Sequence, residues 1–306
     1  MNAVLGGFAA LAAVIAVGWL VGRAGTLGGG APEVLSRLAF SVATPSLLFL
    51  TLLDADPAAL VSPALVATAG SAVACAAGYA LLAGWRRRRP AAEVATGALA
   101  ASYVNAGNLG VPVAVHVLGD ASSVAPVLLF QVLVMAPVGL AVLAGRRPGG
   151  GSRWRVLTAP VRTPVVVGCA LGLVVAASGL ALPAVVLRPV ELTAGLAVPA
   201  ALLAYGMSLH GAPRPASGSA AGQVWLAVAL KTLAQPLLAY ALGRWVAGLD
   251  GAGLLAVTVT SALPTAHNVF VYAAANGRPT AVARDVVLLT TVLSVPVLVG
   301  VALLLG

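Results

Sequence analysis

The sequence predicts an all-α polytopic membrane protein, and three observations carry that prediction. Hydrophobic residues make up 60% of the 306 and charged residues only 8%, where an average soluble domain carries roughly 25%. Mean hydropathy is +1.04. The apolar residues gather into stretches of about 20, the length a helix needs to cross the hydrocarbon core of a bilayer. The 17 basic and 8 acidic residues are too few to cover the surface of a soluble protein this long. Disorder, a collagen-like repeat and a disulfide scaffold are excluded by the same figures. The net charge of +9 and pI near 10.8 do not indicate nucleic acid as a partner. Aromatics are only 5%, and the arginines fall in short runs between apolar stretches rather than on one basic face. Cys75 and Cys169 lie inside apolar stretches and imply neither a disulfide framework nor a zinc site.

About ten spans follow one another. The first, 3–22, has a signal peptide's length but no basic n-region or cleavage site, so it reads as a helix. The second, 33–53, carries Phe40-Ser-Val-Ala-Thr-Pro45, and the third, 60–84, runs into Arg86 to Arg89. The fourth, 92–118, is interrupted by amides, glycines and a proline; the fifth, 122–144, carries Met135-Ala-Pro137. The sixth is 161–180. The seventh, 185–209, contains Gly195-Leu-Ala-Val-Pro199, and the eighth, 221–247, contains Lys231. The ninth, 252–275, is interrupted at Pro264, and the tenth, 281–305, carries Ser294-Val-Pro296. Several exceed a minimal span, so tilt or breaks are expected. The connections leave no room for a soluble domain.

Arginine placement orients these spans. The connections after the odd-numbered stretches, with the adjoining ends, hold Arg23, Arg37, Arg86 to Arg89, Arg146, Arg147, Arg153, Arg155, Arg162, Arg214, Arg278 and Arg284, which is 14 against Arg188 and Arg244 on the other side. Cytoplasmic loops collect Lys and Arg, so the first set is expected in the cytoplasm and both termini outside, in a multi-pass protein of the cell membrane. Asp54, Asp56, Asp120, Glu191 and Asp250 fall on the opposite side.

The two halves repeat. Phe40-Ser-Val-Ala-Thr-Pro45-Ser-Leu-Leu resembles Gly195-Leu-Ala-Val-Pro199-Ala-Ala-Leu-Leu, with the prolines 154 residues apart. Pro137 and Pro296 are 159 apart, and Pro112 and Pro264 are 152 apart. Five spans per half make the second copy enter from the opposite side, an inverted repeat of the kind secondary transporters use. The expected division is 1–150 and 151–306 within one membrane domain.

The chemistry is expected where the fourth and ninth stretches break. The run Asn105-Ala-Gly107-Asn108-Leu-Gly110-Val-Pro112 packs two amides, two glycines and a proline into eight residues. Proline removes a backbone donor and clashes with the preceding turn, and glycine weakens a helix interior. Its counterpart is Thr258-Val-Thr260-Ser261-Ala-Leu-Pro264-Thr265-Ala-His267-Asn268. Irregular backbone at membrane depth survives only where protein or a water-filled cavity satisfies it. Paired breaks in two inverted halves therefore point to a midplane binding site. A half-helix N-terminus suits a carboxylate and a carbonyl end suits a cation. Asn105, Asn108 and Asn268 add neutral donors and acceptors. The competing reading is that such residues only hydrogen-bond a neighbouring helix.

These residues resemble the auxin efflux carrier family, of the bile-acid/auxin/arsenite transporter superfamily type. The resemblance covers nearly the whole chain. It rests on Asn105-Ala-Gly-Asn-Leu-Gly-Val-Pro112 with Leu118-Gly119, and on Leu263-Pro-Thr-Ala-His-Asn-Val-Phe-Val271. Thr44-Pro45-Ser-Leu-Leu-Phe49, Thr163-Pro164, Pro199 to Leu209, Lys231 with Gln235-Pro236, and Leu289 to Ser294 add to it. The resemblance implies ten helices in a five-plus-five plan, with broken fourth and ninth helices crossing at the centre. It implies secondary transport of a small organic anion, such as a mono- or dicarboxylate, by alternating access. Plant relatives move indole-3-acetate, and bacterial relatives are linked to malate or malonate. By the resemblance Asn105, Pro112, Pro264 and Asn268 belong to the substrate site, and Gly107, Asn108, Gly110 and Thr265 lie in the same two motifs. It also implies that the first, second, sixth and seventh spans form a scaffold against which the rest moves.

The remaining polar residues read as accessory. Lys231, at membrane depth with no acid nearby in sequence, is either a functional charge or a snorkelling or carbonyl-capping side chain. Gln131, Thr290, Thr291 and Ser294 line the site or bond neighbouring helices. His267, with an ordinary pKa of about 6.5, is the one central group suited to proton coupling near neutral pH. Glu33, Glu93 and Asp285 stand at or near span starts, which disfavours a relay or sodium site built on an intramembrane carboxylate. No cofactor is called for; proton coupling, and sodium held by carbonyls and hydroxyls, stay open. Expected partners are the anion and membrane lipid, and a homodimer stays open. A ten-helix drug/metabolite exporter would share the inverted halves but gives no reason for the Asn-Gly-Asn motif. An intramembrane enzyme would need clustered acids for a metal or an acid–base pair, and the sequence offers neither.

Overall fold

The apolar stretches form helices, and prolines decide where those helices deform. The computed structural model describes residues 2–53, 62–87, 90–110, 113–114, 118, 121–144 and 164–305. All regular elements among them are helical. In chain order these are α1 (Asn2–Ala24), α2 (Ala31–Leu53), α3 (Pro63–Arg87), α4 (Ala91–Ala100), α5 (Ser122–Ala144), α6 (Pro164–Ser178), α7 (Ala184–Leu209), α8 (Gly218–Trp245), α9 (Gly251–Ala262), α10 (Asn268–Ala275) and α11 (Ala281–Leu305). Among the described residues six helices are long and apolar enough to cross a membrane: α2, α5, α7, α8, α11 and the Pro63–Ala83 part of α3. Shorter apolar helices complete a polytopic membrane protein. The arginines at 88, 89, 146, 147, 153, 155 and 162, and Asp54, Asp56, Pro112, His116, Gly119, Asp120 and Thr163, lie outside the described residues.

Among the described residues, α2, α5 and α8 each widen by one residue just before a proline. In α2, α5 and α8 a π-turn covers Ala39–Ala43, Gln131–Met135 and Leu230–Ala234, and Pro45, Pro137 and Pro236 follow two residues later. The residue preceding each proline donates its N–H five residues back: Thr44 to Ala39, Ala136 to Gln131, and Gln235 to Leu230. A proline ring inside a regular helix would strike the carbonyl four residues earlier. The wider turn moves that carbonyl aside while keeping the backbone paired. Pro199 is accommodated differently, by a break at Gly195 and Leu196 within α7.

Two pairs of helices touch backbone to backbone. α1 packs on α7, and α6 packs on α2. A Cβ on Gly18 would lie 2.6 Å from the Leu203 carbonyl oxygen, and one on Gly206 would strike the Ile15 carbonyl. Likewise a Cβ on Gly168 would lie 2.5 Å from the Pro45 carbonyl oxygen, and one on Gly172 2.7 Å from that of Phe49. Lipid tails are as apolar as leucine, so membrane helices associate through close contact of this kind rather than through exclusion of water.

The start of α11 is buried. Arg284 and Asp285 pair at 2.7 Å and both are enclosed. Asp285 also accepts the Ala216 N–H at 3.0 Å, and the Tyr205 hydroxyl donates to the Arg284 carbonyl at 2.8 Å. Pairing and hydrogen bonds together make a buried charge tolerable. Nearby aromatics pack edge to face: Tyr205 with Phe270, and Tyr272 with both Tyr103 and Phe40.

Gly206→Ala is expected to lower the melting temperature of the detergent-solubilised protein by several degrees, from an overpacking cost of about 1–3 kcal/mol. Gly222→Ala, whose added Cβ would meet nothing within 4 Å, is expected to hold or raise it. Equal melting of Gly206→Ala and wild type would contradict the close α1–α7 contact.

Candidate functional site

Two broken helices meet at the centre. α4 ends at Ala100 and α9 at Ala262. Leu263 is held extended (φ −56°, ψ 148°), as the residue before a proline prefers. The two irregular segments pair antiparallel across Val104 and Thr265. Asn105 N–H donates to the Pro264 carbonyl at 2.8 Å, and Ala266 N–H donates to the Tyr103 carbonyl at 3.0 Å. Each break thus satisfies part of the other's backbone. A widened turn over Ala106–Gly110 follows, with the Leu109 and Gly110 N–H groups both reaching the Asn105 carbonyl, at 3.2 and 3.0 Å.

The carbonyl ends of both half-helices are capped by side chains. Thr265 Oγ1 donates to the Ala100 carbonyl at 2.6 Å, and Gln235 Nε2 donates to that of Ser102 at 3.0 Å. Lys231 Nζ donates to the Ser261 carbonyl at 2.8 Å. Thr265 N–H in turn donates to Thr290 Oγ1 at 3.1 Å. Lys231 and Gln235 stand one turn apart on α8, beside the turn that Pro236 widens, and both are fully buried. One helix therefore caps both breaks. Of the readings open for Lys231, carbonyl capping is the contact it makes.

A cavity of about 360 Å³ opens beside the crossing. Its polar residues are Asn105, Thr265, His267 and Thr291. Its walls are Leu11, Ala12, Ile15, Ala16 and Trp19 of α1, Leu202 and Leu209 of α7, and Val287, Leu288 and Val292 of α11. Asn105 and His267 are only 6% and 3% exposed, so a ligand there would meet them away from bulk water. His267 Nδ1 lies 3.4 Å from Asn108 Nδ2. Toward the end of α1, Trp19 sits edge-on to His210 and beneath the Arg23 guanidinium, 5.5 Å from the ring centre. The chamber offers neutral hydrogen-bonding groups at the crossing and apolar surface along its length.

The sequence-derived site residues divide around this cavity. Asn105, Thr265, His267 and Thr291 line it. Asn108 reaches it through His267, and the Pro264 carbonyl is engaged by Asn105 N–H. Asn268 opens α10, half-buried and outside the lining. Gly107 is exposed, and Gly110 packs close to Val124 and Leu263. Gln131 is buried in the widened turn of α5, with its Oε1 unpartnered among the described residues, and Ser294 Oγ donates to the Thr291 carbonyl. Trp19 and the other wall residues of α1, α7 and α11 were not legible in the sequence. Their apolar side chains carry no signal that separates a cavity wall from a lipid-facing surface.

Compared with known proteins, the chain matches the sequence model of a family described as "Membrane transport protein" over residues 4–147 and 154–301. No curated protein matches the chain.

Thr265→Val keeps the side-chain shape but removes the donor to the Ala100 carbonyl. A buried carbonyl left unpaired costs about 1–3 kcal/mol, so Thr265→Val is expected to melt several degrees below wild type and Thr265→Ser close to it. Unchanged melting of Thr265→Val would show that the cap contributes nothing.

Proposed function

Since this chain belongs to the membrane transport protein family, the auxin efflux carriers of the sequence resemblance, we propose that it is a secondary transporter moving a small organic anion across the cell membrane by alternating access. The cavity at the crossing carries this reading. Its volume of about 360 Å³ lies at the lower end of the roughly 300–1,000 Å³ typical of small-molecule sites. A carboxylate set against Asn105 and His267 meets neutral groups, which bind an anion without the fixed charge that would retain it. The walls contributed by Ile15, Trp19, Leu202 and Leu288 suit an apolar body behind that carboxylate. This favours monocarboxylates of that shape over malate, whose second carboxylate would be buried against apolar surface.

The same geometry supports an elevator or rocking motion. The cavity lies between α1 and α7 on one side and the crossing with α11 on the other. Sliding the crossing past α1 and α7 would carry a ligand bound at Asn105 from one membrane face to the other. The glycine contacts support ten spans in an inverted five-plus-five repeat, because they exchange the halves. Gly18 of the first half meets Leu203 of the second, while Gly168 and Gly172 of the second meet Pro45 and Phe49 of the first. With the arginine-rich side in the cytoplasm, Trp19, Arg23 and His210 face that compartment.

A thermal-shift screen of the purified protein tests the proposal. Ligands that bind the native state raise apparent stability by mass action. At least one of indole-3-acetate, benzoate, malonate and malate is expected to stabilise wild type, the first two most. Asn105→Ala is expected to fold but lose the shift. Stabilisation by neutral or cationic compounds alone, or an equal shift in Asn105→Ala, would overturn the assignment.

A further inference from the structure

One buried charge at the centre has no place among the cavity walls. Lys231 is fully buried, in the middle of the 28-residue α8. It makes no ion pair among the described residues. Asp285 is paired with Arg284, Glu33 with Arg37 and Glu191 with Arg188, while Glu93 and Asp250 stand at helix starts. The titratable neighbour on α3 is Cys75, whose Sγ contacts the Leu230 carbonyl at 3.5 Å. What the Lys231 side chain meets instead is the carbonyl end of α9, through Ser261 at 2.8 Å.

Carbonyl ends of broken helices are where transporters built on inverted repeats hold a coupling cation. The last carbonyls of a helix have no intrahelical partner and carry its partial negative charge. Here both such ends at the crossing are taken by side chains. The α4 end receives the Thr265 hydroxyl and the Gln235 amide, both neutral. The α9 end receives the Lys231 ammonium. Two further buried oxygens on residues of these same caps, Ser261 Oγ and Gln235 Oε1, have no hydrogen-bond partner among the described residues.

We infer that Lys231 is a resident cation, tethered at the α9 carbonyl end in the role a bound sodium ion would otherwise play, so that anion binding at the crossing needs no sodium. The inference rests on the transporter reading above. A tethered ammonium adds no entropy of ion capture and cannot dissociate, so the helix break stays compensated when the cavity is empty. The widened turn before Pro236 is the device that brings Lys231 and Gln235 to the two breaks together.

The test is thermal melting of the purified protein in sodium chloride, propylammonium chloride and choline chloride, with no carboxylate present. Wild type is expected to melt at the same temperature in all three. Lys231→Ala is expected to lose about 5 °C or more, and to regain part of it in sodium or propylammonium but not in the bulkier choline. Wild type stabilised by sodium over choline, or Lys231→Ala melting like wild type, would overturn the inference. Should the alanine variant fail to fold, Lys231→Gln keeps a donor for Ser261 without the charge; wild-type stability of that variant in choline would equally overturn it. Carboxylate stabilisation is read separately, so either proposal can fail while the other stands.

Discussion

The demand that governs this molecule is that no backbone group at membrane depth go unpaired. Leaving one N–H or carbonyl bare in hydrocarbon costs several kcal/mol, yet a carrier needs interrupted helices to present polar groups to its cargo. The crossing meets both needs. The irregular segments around Val104 and Thr265 pair with each other, and the carbonyls of Ala100, Ser102 and Ser261 are capped by Thr265, Gln235 and Lys231. What remains exposed to the cavity is a small set of neutral side chains.

The prolines act at two levels. Pro264 forces Leu263 out of the helix and creates the break itself. Pro236, inside an otherwise continuous helix, is absorbed by a wider turn that sets Lys231 and Gln235 against the crossing. The scaffold contacts follow a different rule. Gly18, Gly206, Gly168 and Gly172 let backbones approach to a distance that any side chain would prevent. Close α1–α7 contact and a separately braced crossing are compatible with the sliding motion proposed above.

Much of this was legible in the chain. The ninth-span break announced itself at Pro264, and the motif from Asn105 marked the region just past the end of α4 at Ala100, because glycine, proline and amides are costly inside a helix. Lys231 was conspicuous because charge is rare at that depth. Its partner was not, because a backbone carbonyl is present at every residue and only folding selects Ser261. Asn268 illustrates the converse. Its motif position suggests the site, yet helical geometry turns it to the start of α10 and outside the cavity lining. Arg284 and Asp285 stand near a span start in the sequence, and only the approach of Ala216 and Tyr205 encloses them.

By itself the sequence determined the membrane class, the family and the two regions where helices fail, because those depend on local composition and on the conformations each residue allows. Only the tertiary structure decided which residues face the cavity, which carbonyls Lys231 and Gln235 cap, and which glycines mark contact. Those choices depend on how helices distant in sequence are rotated against one another. In a chain that is 60% hydrophobic, Trp19 facing a cavity and Leu20 facing outward read alike until α7 and α11 are set beside α1.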